Sequence, residues 1–390
     1  MTTHTGNPSI GAVDRLKRRS VATAYALMFV GAGIYLPYFP LYLGHLDYSG
    51  WEIGVVIGIQ PVLRWLSALG FGWVADRWRI RHRLMVLCAT LGIAFFIPLL
   101  WVQSLWSMLL VTAGISLLHG PVIPAIDATV MDHLDELGGD YGRLRLWGSL
   151  AFIVGAAISA TGVWLGSVAI VPSLFLLPAA LLPIALHRLP PSQAPVRHGA
   201  APPWKLLSPP LSAFLAAVFL AHLSSGAWNG FFALHAESLG LPAWVSGAAW
   251  GLAVSAEVAV FQWGRRLFAV LPAARLVAVS LVVTMLRWAL TAVADSTVPI
   301  VLLQVGHAFT FSAFHLAAMM LIARLVPNES STSGQALYGI IGFGLGGGLG
   351  VALAGLLVES LGTPLLFGFE AIVAALGLVP AWILLRLLRH

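Results

Sequence analysis

Residues 72–84 read Gly72-Trp-Val-Ala-Asp76-Arg77-Trp-Arg-Ile-Arg81-His-Arg83-Leu84, a short basic segment at the junction of two long apolar runs. The runs before and after it, 52–75 and 84–103, are each about 20 residues long, the length that a helix needs to cross the hydrocarbon core of a bilayer. Similar runs follow one another along the whole chain. Their length favours helices over strands, because a membrane barrel has short alternating segments. The sequence therefore predicts an all-α membrane protein.

Lys and Arg occur only in alternate connections between the runs, and this alternation predicts the topology. The basic connections and chain ends contain Arg15–Arg19, Arg77–Arg83, Arg143, Arg188–Lys205, Arg265–Arg275, Arg324 and Arg386–Arg389. The ionisable residues of the intervening connections are His45, Asp47, Glu52, Glu237, Asp295 and Glu359. Basic loops stay cytoplasmic. Both termini are therefore expected inside the cell, and the protein is expected in the inner (plasma) membrane as a multi-pass protein.

Composition excludes a soluble globular protein. The mean hydropathy is +0.90, and 9% of residues are charged, whereas soluble domains are about 25% charged. The net charge of +6 is spread over loops on one face, which indicates a lipid bilayer partner and no nucleic acid. The single cysteine, Cys88, lies inside an apolar run and predicts neither a disulfide nor a thiolate metal site.

Twelve spans and two halves are predicted. The spans are 20–44, 52–75, 84–103, 106–131, 142–165, 168–187, 211–236, 243–264, 274–294, 297–325, 333–358 and 363–387. The longest polar connection is read as a linker and not as a domain. The expected organisation is a cytoplasmic tail at 1–19, a six-helix bundle at 20–187, a cytoplasmic linker at 188–210 and a second six-helix bundle at 211–390.

A weak internal repeat relates the two halves. Trp51, Gly54, Gly58 and Arg64 recur at one constant offset as Trp244, Gly247, Gly251 and Glu257, while His119 and Asp127 match His307 and His315 at a slightly shorter one. Polar residues that are costly in a membrane thus return at the same depth in both halves. Two pseudo-symmetric halves with a site between them are typical of secondary transporters.

The segment 72–84 resembles the signature loop of the major facilitator superfamily, Gly-x-Leu-Ala-Asp-Arg-x-Gly-Arg-Lys. Gly72, Ala75, Asp76, Arg77 and Arg81 fit, whereas Arg79 stands where the family has Gly and Ile80 where it has a basic residue. The resemblance implies two six-helix bundles and a gating role for Gly72, Asp76, Arg77 and Arg81, with Asp76 as a switch residue. The second-half counterpart, Trp263-Gly-Arg-Arg, lacks the Asp.

A narrower resemblance is to the phenylpropionate permease family, itself similar to the lactose-permease group of proton–sugar symporters. Two segments carry it, Tyr141-Gly-Arg143-Leu-Arg145-Leu-Trp-Gly148-Ser149 and His307-Ala-Phe-Thr310-Phe-x-x-Phe-His315-Leu-Ala-Ala-Met. The resemblance implies that Asp127 and Arg145 form the acid–base pair that holds substrate. It also implies that Glu257, Arg287 and His307 match the eighth-span carboxylate, the ninth-span arginine and the tenth-span histidine.

Three departures from the sugar permeases bear on proton coupling. Thr310 stands where they have a proton-releasing carboxylate, and Gln304 stands where they have a lysine. The seventh span offers only His222 and Asn229 in place of their acid. Coupling, if present, must therefore use other groups, and the candidates are Glu257, Asp127 and His307.

Ionisable residues at mid-membrane cost about 2.5 kcal/mol or more each, which makes them candidate functional groups. The central ones are Arg64, Asp127, Arg145, Glu257 and Arg287. Three arginines against two acids leave an excess positive charge, which suits an anion that a guanidinium can bind through two hydrogen bonds. Glu257 with Arg287 is the preferred coupling pair, and Asp127 with Arg145 is the second.

Each of these residues has a structural alternative. An arginine can lock two helices together, a histidine can make an ordinary interhelical hydrogen bond, and Asp127 can belong with Asp132 to the cytoplasmic end of its span. Aromatic residues in membranes form interfacial belts or fill helix contacts by default. Tyr35, Trp228 and Tyr338 are nevertheless candidates for contact with an aromatic substrate.

The predicted function is proton-coupled symport of a small organic anion, such as an aromatic carboxylate of the phenylpropionate type, by alternating access. The alternatives are a proton-coupled sugar or nucleoside symporter and, after it, a drug efflux carrier. An enzyme is not expected, because the sequence contains no His-Glu-x-x-His, Gly-x-Ser-x-Gly or phosphate-binding loop. The expected partners are a small molecule, protons and lipid, with no cofactor, and the expected state is a monomer.

Overall fold

The computed structural model describes residues 8–137, 140–191 and 203–389, without the side chains of 8–15, 203–204, 263 and 265–270. Parts of the predicted tail and linker, 1–7 and 192–202, therefore lie outside the described residues. So do the side chains of Arg265 and Arg266, which belong to the degenerate second-half copy of the signature loop.

The described residues form twelve helical spans, and every connection except 188–208 is short. Their bounds are α1 Pro8–His45, α2 Gly50–Trp78, α3 Arg81–Leu100, α4 Leu105–Asp132, α5 Tyr141–Leu165, α6 Val168–His187, α7 Pro209–Ser238, α8 Trp244–Val270, α9 Ala273–Val293, α10 Thr297–Leu325, α11 328–361 and α12 363–387. By length and composition, eleven described segments can cross a membrane, and the last, Asn328–Leu387, spans 60 residues. Its backbone is non-helical at Gly362, where φ is 73°, so it divides into α11 and α12. The predicted all-α fold is confirmed.

Local sequence sets where these helices begin and where they break. At the start of α2, the Ser49 hydroxyl accepts a hydrogen bond from the Glu52 amide, and the Glu52 carboxylate accepts one from the Ser49 amide. Such a reciprocal cap satisfies two amides that the first turn leaves free. Helix α4 is interrupted at Gly120–Pro121, between segments that end at His119 and begin at Val122. Proline removes a backbone donor and clashes with the preceding turn, which explains the interruption.

The seam between α2 and α11 joins the two halves at the end of the molecule that carries the acidic connections. A Cβ placed on Gly54 would lie 2.8 Å from the Gly355 Cα, and one on Gly58 would lie 2.6 Å from the Gly348 carbonyl oxygen. Backbone therefore touches backbone along this seam, which only small residues permit.

A second seam joins α8 to α1 and α5 at the same end. The Tyr38 hydroxyl donates to the Ala243 carbonyl (3.0 Å) and accepts from the Gly247 amide (3.1 Å). One turn along the interface, the rings of Phe152 and Trp250 lie 5.9 Å apart. The acidic-connection end of the molecule is thus closed.

At the basic end of the molecule, helices α2 and α11 are no longer in contact. Gly72 lies 18 residues after Gly54, which is five helical turns, so both residues look in the same direction from α2. Among the described residues, no atom lies within 4 Å of a Cβ placed on Gly72, although Gly54 is tightly packed. Between them, Trp65 still stacks on Phe343 of α11, with ring centroids 6.2 Å apart. Helix α2 therefore leaves α11 beyond Trp65, and the space between the halves opens toward the basic end.

Candidate functional site

The densest polar cluster of the second half is built around Arg287 on α9, which is 3% exposed. Its Nε and Nη2 donate to the side-chain oxygen of Gln304 at 3.0 and 2.6 Å. Its Nη1 donates to the Thr310 hydroxyl at 2.8 Å and lies 3.0 Å from Nδ1 of His307. All of these partners come from α10 and all are neutral, and no carboxylate of the described residues is in direct contact with this buried cation.

His307 connects the Arg287 guanidinium to the Glu257 carboxylate. Its Nε2 lies 2.8 Å from a carboxylate oxygen of Glu257 on α8. Arginine has only donors, so Nδ1 must accept from Arg287, and the ring hydrogen must then sit on Nε2 and be donated to Glu257. The result is a continuous carboxylate–imidazole–guanidinium chain across three helices. The side chains of Glu257 and His307 are 15% and 12% exposed.

Tryptophan rings enclose this chain on the side of Arg287. The guanidinium carbon lies 4.5 Å from the ring centre of Trp228 and 4.2 Å from that of Trp288. Trp228 is 2% exposed and also packs on Trp250, at 4.5 Å between ring centres. Cation–π contacts of about 2 kcal/mol when desolvated offset part of the cost of burying the charge. Trp228, predicted as an aromatic substrate contact, therefore lies beneath the guanidinium.

Glu370 on α12 is a buried acid that the sequence did not assign to the site. It is 2% exposed, and its carboxylate accepts a hydrogen bond from the Ala227 amide. Helix α7 is interrupted there, between segments that end at Leu223 and begin at Gly226. The first amides of a helix are free and favour a negative charge. Glu370 thus holds the segment that carries Trp228, and the Ser224-Ser225-Gly226 break was the signal in the sequence.

In the first half, Asp127 and Arg145 are not directly paired among the described residues. Asp127 accepts hydrogen bonds from the hydroxyls of Tyr25 (2.5 Å) and Tyr141 (3.0 Å). The Arg145 guanidinium lies over the rings of Phe29 (4.0 Å) and Tyr25 (5.6 Å). The pair expected from the sequence is therefore replaced by an indirect link through Tyr25.

Arg64 and Tyr35 lie together at a separate pocket within the first half. The Tyr35 hydroxyl donates to the side-chain oxygen of Gln60 at 2.9 Å, and the Gln60 amide donates to the Val56 carbonyl, also at 2.9 Å. The pocket has a volume of about 100 Å³ and lies between α1, α2, α4 and α6, with Phe96 of α3 at one side.

Tyr338 and the signature loop lie away from both polar clusters. Tyr338 is 3% exposed, and its hydroxyl is hydrogen-bonded to Nδ1 of His315 at 3.0 Å. In the loop, Arg81 bridges Asp76 at the end of α2 (3.1 Å) and Asp132 at the end of α4 (2.8 Å). Arg81 thus links the ends of α2, α3 and α4 at the basic face. No atom of the described residues lies within 4 Å of a Cβ placed on Gly72.

Known proteins resemble this chain over nearly all of its length. The MFS_1 like family matches residues 19–369. The chain is 28% identical over 355 residues to the probable 3-phenylpropionic acid transporter of Escherichia coli (strain K12), with 88% of this chain and 92% of that protein covered. It is 26% identical over 362 residues to the maltose permease of Geobacillus stearothermophilus, covering 91% of each. A crystal structure of the nucleoside transporter NupG superposes with a TM-score of 0.84 at 18% identity, covering 94% of this chain and 99% of that one.

Proposed function

The chain belongs to the MFS_1 like family and is therefore a major facilitator superfamily transporter in a membrane, and from this premise we propose that it is a proton-coupled symporter of a small organic anion. The observation that carries the proposal is the Glu257–His307–Arg287 chain. It places an exchangeable proton and a fixed positive charge in one hydrogen-bonded unit.

The coupling follows from charge balance. Glu370 is set aside in this count, because its carboxylate is bound by the free amides at the break in α7. The remaining central ionisable groups are Arg64, Arg145 and Arg287 against Asp127 and Glu257, which gives one excess positive charge. A proton on Glu257 raises the excess to two, and a bound monovalent anion returns it to one. Loaded and empty carriers then have equal charge. Since each uncompensated charge is costly in a bilayer, this balance lets both forms reorient, while a carrier with only the proton has two excess charges and is disfavoured. An ionised Glu257 repels an anion, which opposes binding of the anion without the proton.

Protonation of Glu257 also changes its neighbours. A neutral carboxyl no longer attracts the Nε2 hydrogen of His307 as strongly, since hydrogen bonds to charged groups are about twice as strong as neutral ones. The negative charge of Glu257, which balances Arg287 through the imidazole of His307, is then lost. The charge of Arg287 then adds to the positive potential of the chamber, which attracts a substrate carboxylate at a distance, and no direct contact between proton and substrate is required.

The nature of the cargo is argued from charge and kinship. An excess of arginine favours an anion over a cationic drug or a neutral sugar. A protein named for 3-phenylpropionic acid is a relative along most of the chain. A maltose permease is a relative at similar identity, so sugar transport stays the alternative that an experiment must separate.

The test is uptake into liposomes that contain the purified protein, with an acid exterior and a panel of 3-phenylpropionate, maltose and uridine. A pH difference of one unit stores about 1.4 kcal/mol per proton, enough for about tenfold accumulation with one proton per anion. We expect accumulation of 3-phenylpropionate by the unaltered protein. Glu257→Gln should abolish pH-driven accumulation and retain exchange of internal for external substrate.

The matched control is Glu237→Gln, the same change at an exposed acid in the last turn of α7, which should accumulate normally. Accumulation by Glu257→Gln equal to that of the control would remove Glu257 from coupling. Accumulation of maltose or uridine in place of the acid would replace the anion proposal with the sugar or nucleoside alternative.

A further inference from the structure

The pocket at Arg64 is distinct from the coupling cluster and lies inside the first half. Most of the side chains that line it are apolar, among them those of Ala32, Phe96 and Phe175. Its polar side chains come from α1, α2 and α4 and include those of Tyr35, Gln60 and Arg64. Such a wall with one charged group at its edge is the usual form of a small-molecule site.

Arg64 is the one of the three central arginines whose guanidinium has no hydrogen bond, ion pair or aromatic ring contact within the described residues. Arg287 has its donors occupied by Gln304, His307 and Thr310. Arg145 lies against the rings of Phe29 and Tyr25. Because charged groups inside a membrane protein normally pair or mark a substrate pathway, Arg64 is the arginine best placed to receive an external anion.

The neighbours of Arg64 do not compete for it. Gln60 is 3% exposed, its oxygen accepts from Tyr35 and its amide donates to the Val56 carbonyl. Gln60 therefore holds Tyr35 at the pocket edge and leaves the five N–H donors of Arg64 free for a carboxylate, which can accept two of them in parallel.

Size and shape select the rest of the ligand. Apolar cavities of about 150 Å³ bind benzene, so a pocket of about 100 Å³ suits one aromatic ring after small side-chain shifts and is too small for a disaccharide. The rings of Phe96 and Phe175 meet edge to face at 4.7 Å. Aromatic rings prefer this geometry with one another, and a third ring can join it.

We propose that this pocket is the substrate site for an aryl carboxylate, with the carboxylate on Arg64 and the ring packed against the edge-to-face pair Phe96 and Phe175. The inference rests on the proposed transport of an organic anion and adds where the anion binds and why it is aromatic. Arg64 and Glu257 also occupy matching positions of the internal repeat. The anion site and the proton site thus use the same place in the two halves.

The test is equilibrium binding of 3-phenylpropionate to the purified full-length protein by calorimetry. The uncharged analogue 3-phenylpropanol separates the carboxylate contribution. Arg64→Gln should weaken acid binding about 10- to 100-fold, the value of one charge-assisted bidentate contact, while leaving the already weak binding of the alcohol unchanged. Ala32→Leu, which adds three carbons to the pocket wall, should weaken the acid and the alcohol together.

The matched control is Arg275→Gln, the same change at an exposed arginine at the start of α9, and thermal unfolding of each variant checks that it is folded. Equal acid affinity in Arg64→Gln and the control would overturn the site, and so would an Ala32→Leu variant that binds normally. If Arg145→Gln or Arg287→Gln alone weakened binding, the anion proposal would stand and the location would be wrong. If the unaltered protein bound maltose and no acid, both would fail.

Discussion

The seam between α2 and α11 provides a direct test of how this transporter closes. Gly54→Ala adds a single carbon that would lie 2.8 Å from the Gly355 Cα and 3.1 Å from the Val351 carbonyl oxygen. Ordinary contacts between carbons are about 3.5–4.0 Å, so the two helices must part by about 0.7 Å or more. Overpacking of this kind costs about 1–3 kcal/mol. The state that is closed at the acidic end should lose population by about 5- to 150-fold relative to the alternative.

A buried thiol can report this shift. Cys88 is the single cysteine, so Cys88→Ser with Ser246→Cys leaves one reactive group. Ser246 is 2% exposed and donates to the Pro37 carbonyl in the other closed seam. We expect Gly54→Ala to raise the rate of reaction with a hydrophilic maleimide by about tenfold, within the range given by the packing cost.

Gly70→Ala is the matched control, because it makes the same change in the same helix, outside the signature loop, where no atom of the described residues lies within 4 Å of an added Cβ. Both substitutions remove a helical glycine, and both therefore gain about 1 kcal/mol of helix propensity. Equal thiol reactivity in the two variants would refute the seam as the closing contact. It would also refute the assignment of the open side to the basic end.

Two further measurements probe the charges of the chamber. Gln304→Leu removes the acceptor of Arg287 Nε and Nη2 and leaves buried donors unsatisfied, so the free energy of unfolding should fall by about 2–3 kcal/mol. Gln304→Glu keeps an acceptor and should unfold near the original temperature. An unchanged thermal unfolding midpoint for Gln304→Leu would contradict the contact. One proton with one monovalent anion moves no net charge, so a potassium diffusion potential without a pH difference should not drive uptake, although each net charge would gain about 2.3 kcal/mol per 100 mV. Potential-driven uptake would require more than one proton per anion.

The helices were predictable because a bilayer leaves the chain few choices. Predicted spans 142–165 and 168–187 agree closely with Tyr141–Leu165 and Val168–His187. Backbone groups in lipid must be satisfied within the segment, so run length alone predicts a helix. The break at Gly362 agrees with the predicted gap between spans 333–358 and 363–387.

The partners of the polar side chains were only partly predictable. The sequence predicts that Glu257, Arg287 and His307 lie in neighbouring spans. It does not show that the imidazole lies between the carboxylate and the guanidinium. A membrane helix is apolar all round, so periodicity does not show which face meets which neighbour. From the sequence, Gln304 is notable only because it replaces a lysine of the sugar permeases. In the structure, its side-chain oxygen accepts hydrogen bonds from two Arg287 nitrogens.

The same limit explains Asp127. Its family position predicted an arginine partner, but two tyrosine hydroxyls reach it first. Tyrosines are common membrane residues, and no spacing distinguishes Tyr25 from one in an interfacial belt. Which end of the carrier is closed was not predictable either, because both states use the same sequence and differ by small packing energies.

The two halves of the chamber have different roles in the proposed mechanism, because Arg287 of the second half is hydrogen-bonded and shielded by the described residues and Arg64 of the first half is not. In the proposed mechanism, the second half holds the pair that takes up a proton, and it shields Arg287 from substrate with neutral acceptors and tryptophan rings. In the first half, the Arg64 guanidinium has no hydrogen bond or ion pair to the described residues and lies beside a mostly apolar pocket. If both arginines were shielded, an anion would gain nothing by binding; if both were free, the empty chamber would carry too much unbalanced charge to close. One shielded and one free arginine allow binding and closure in the same cycle, which is the requirement of alternating access.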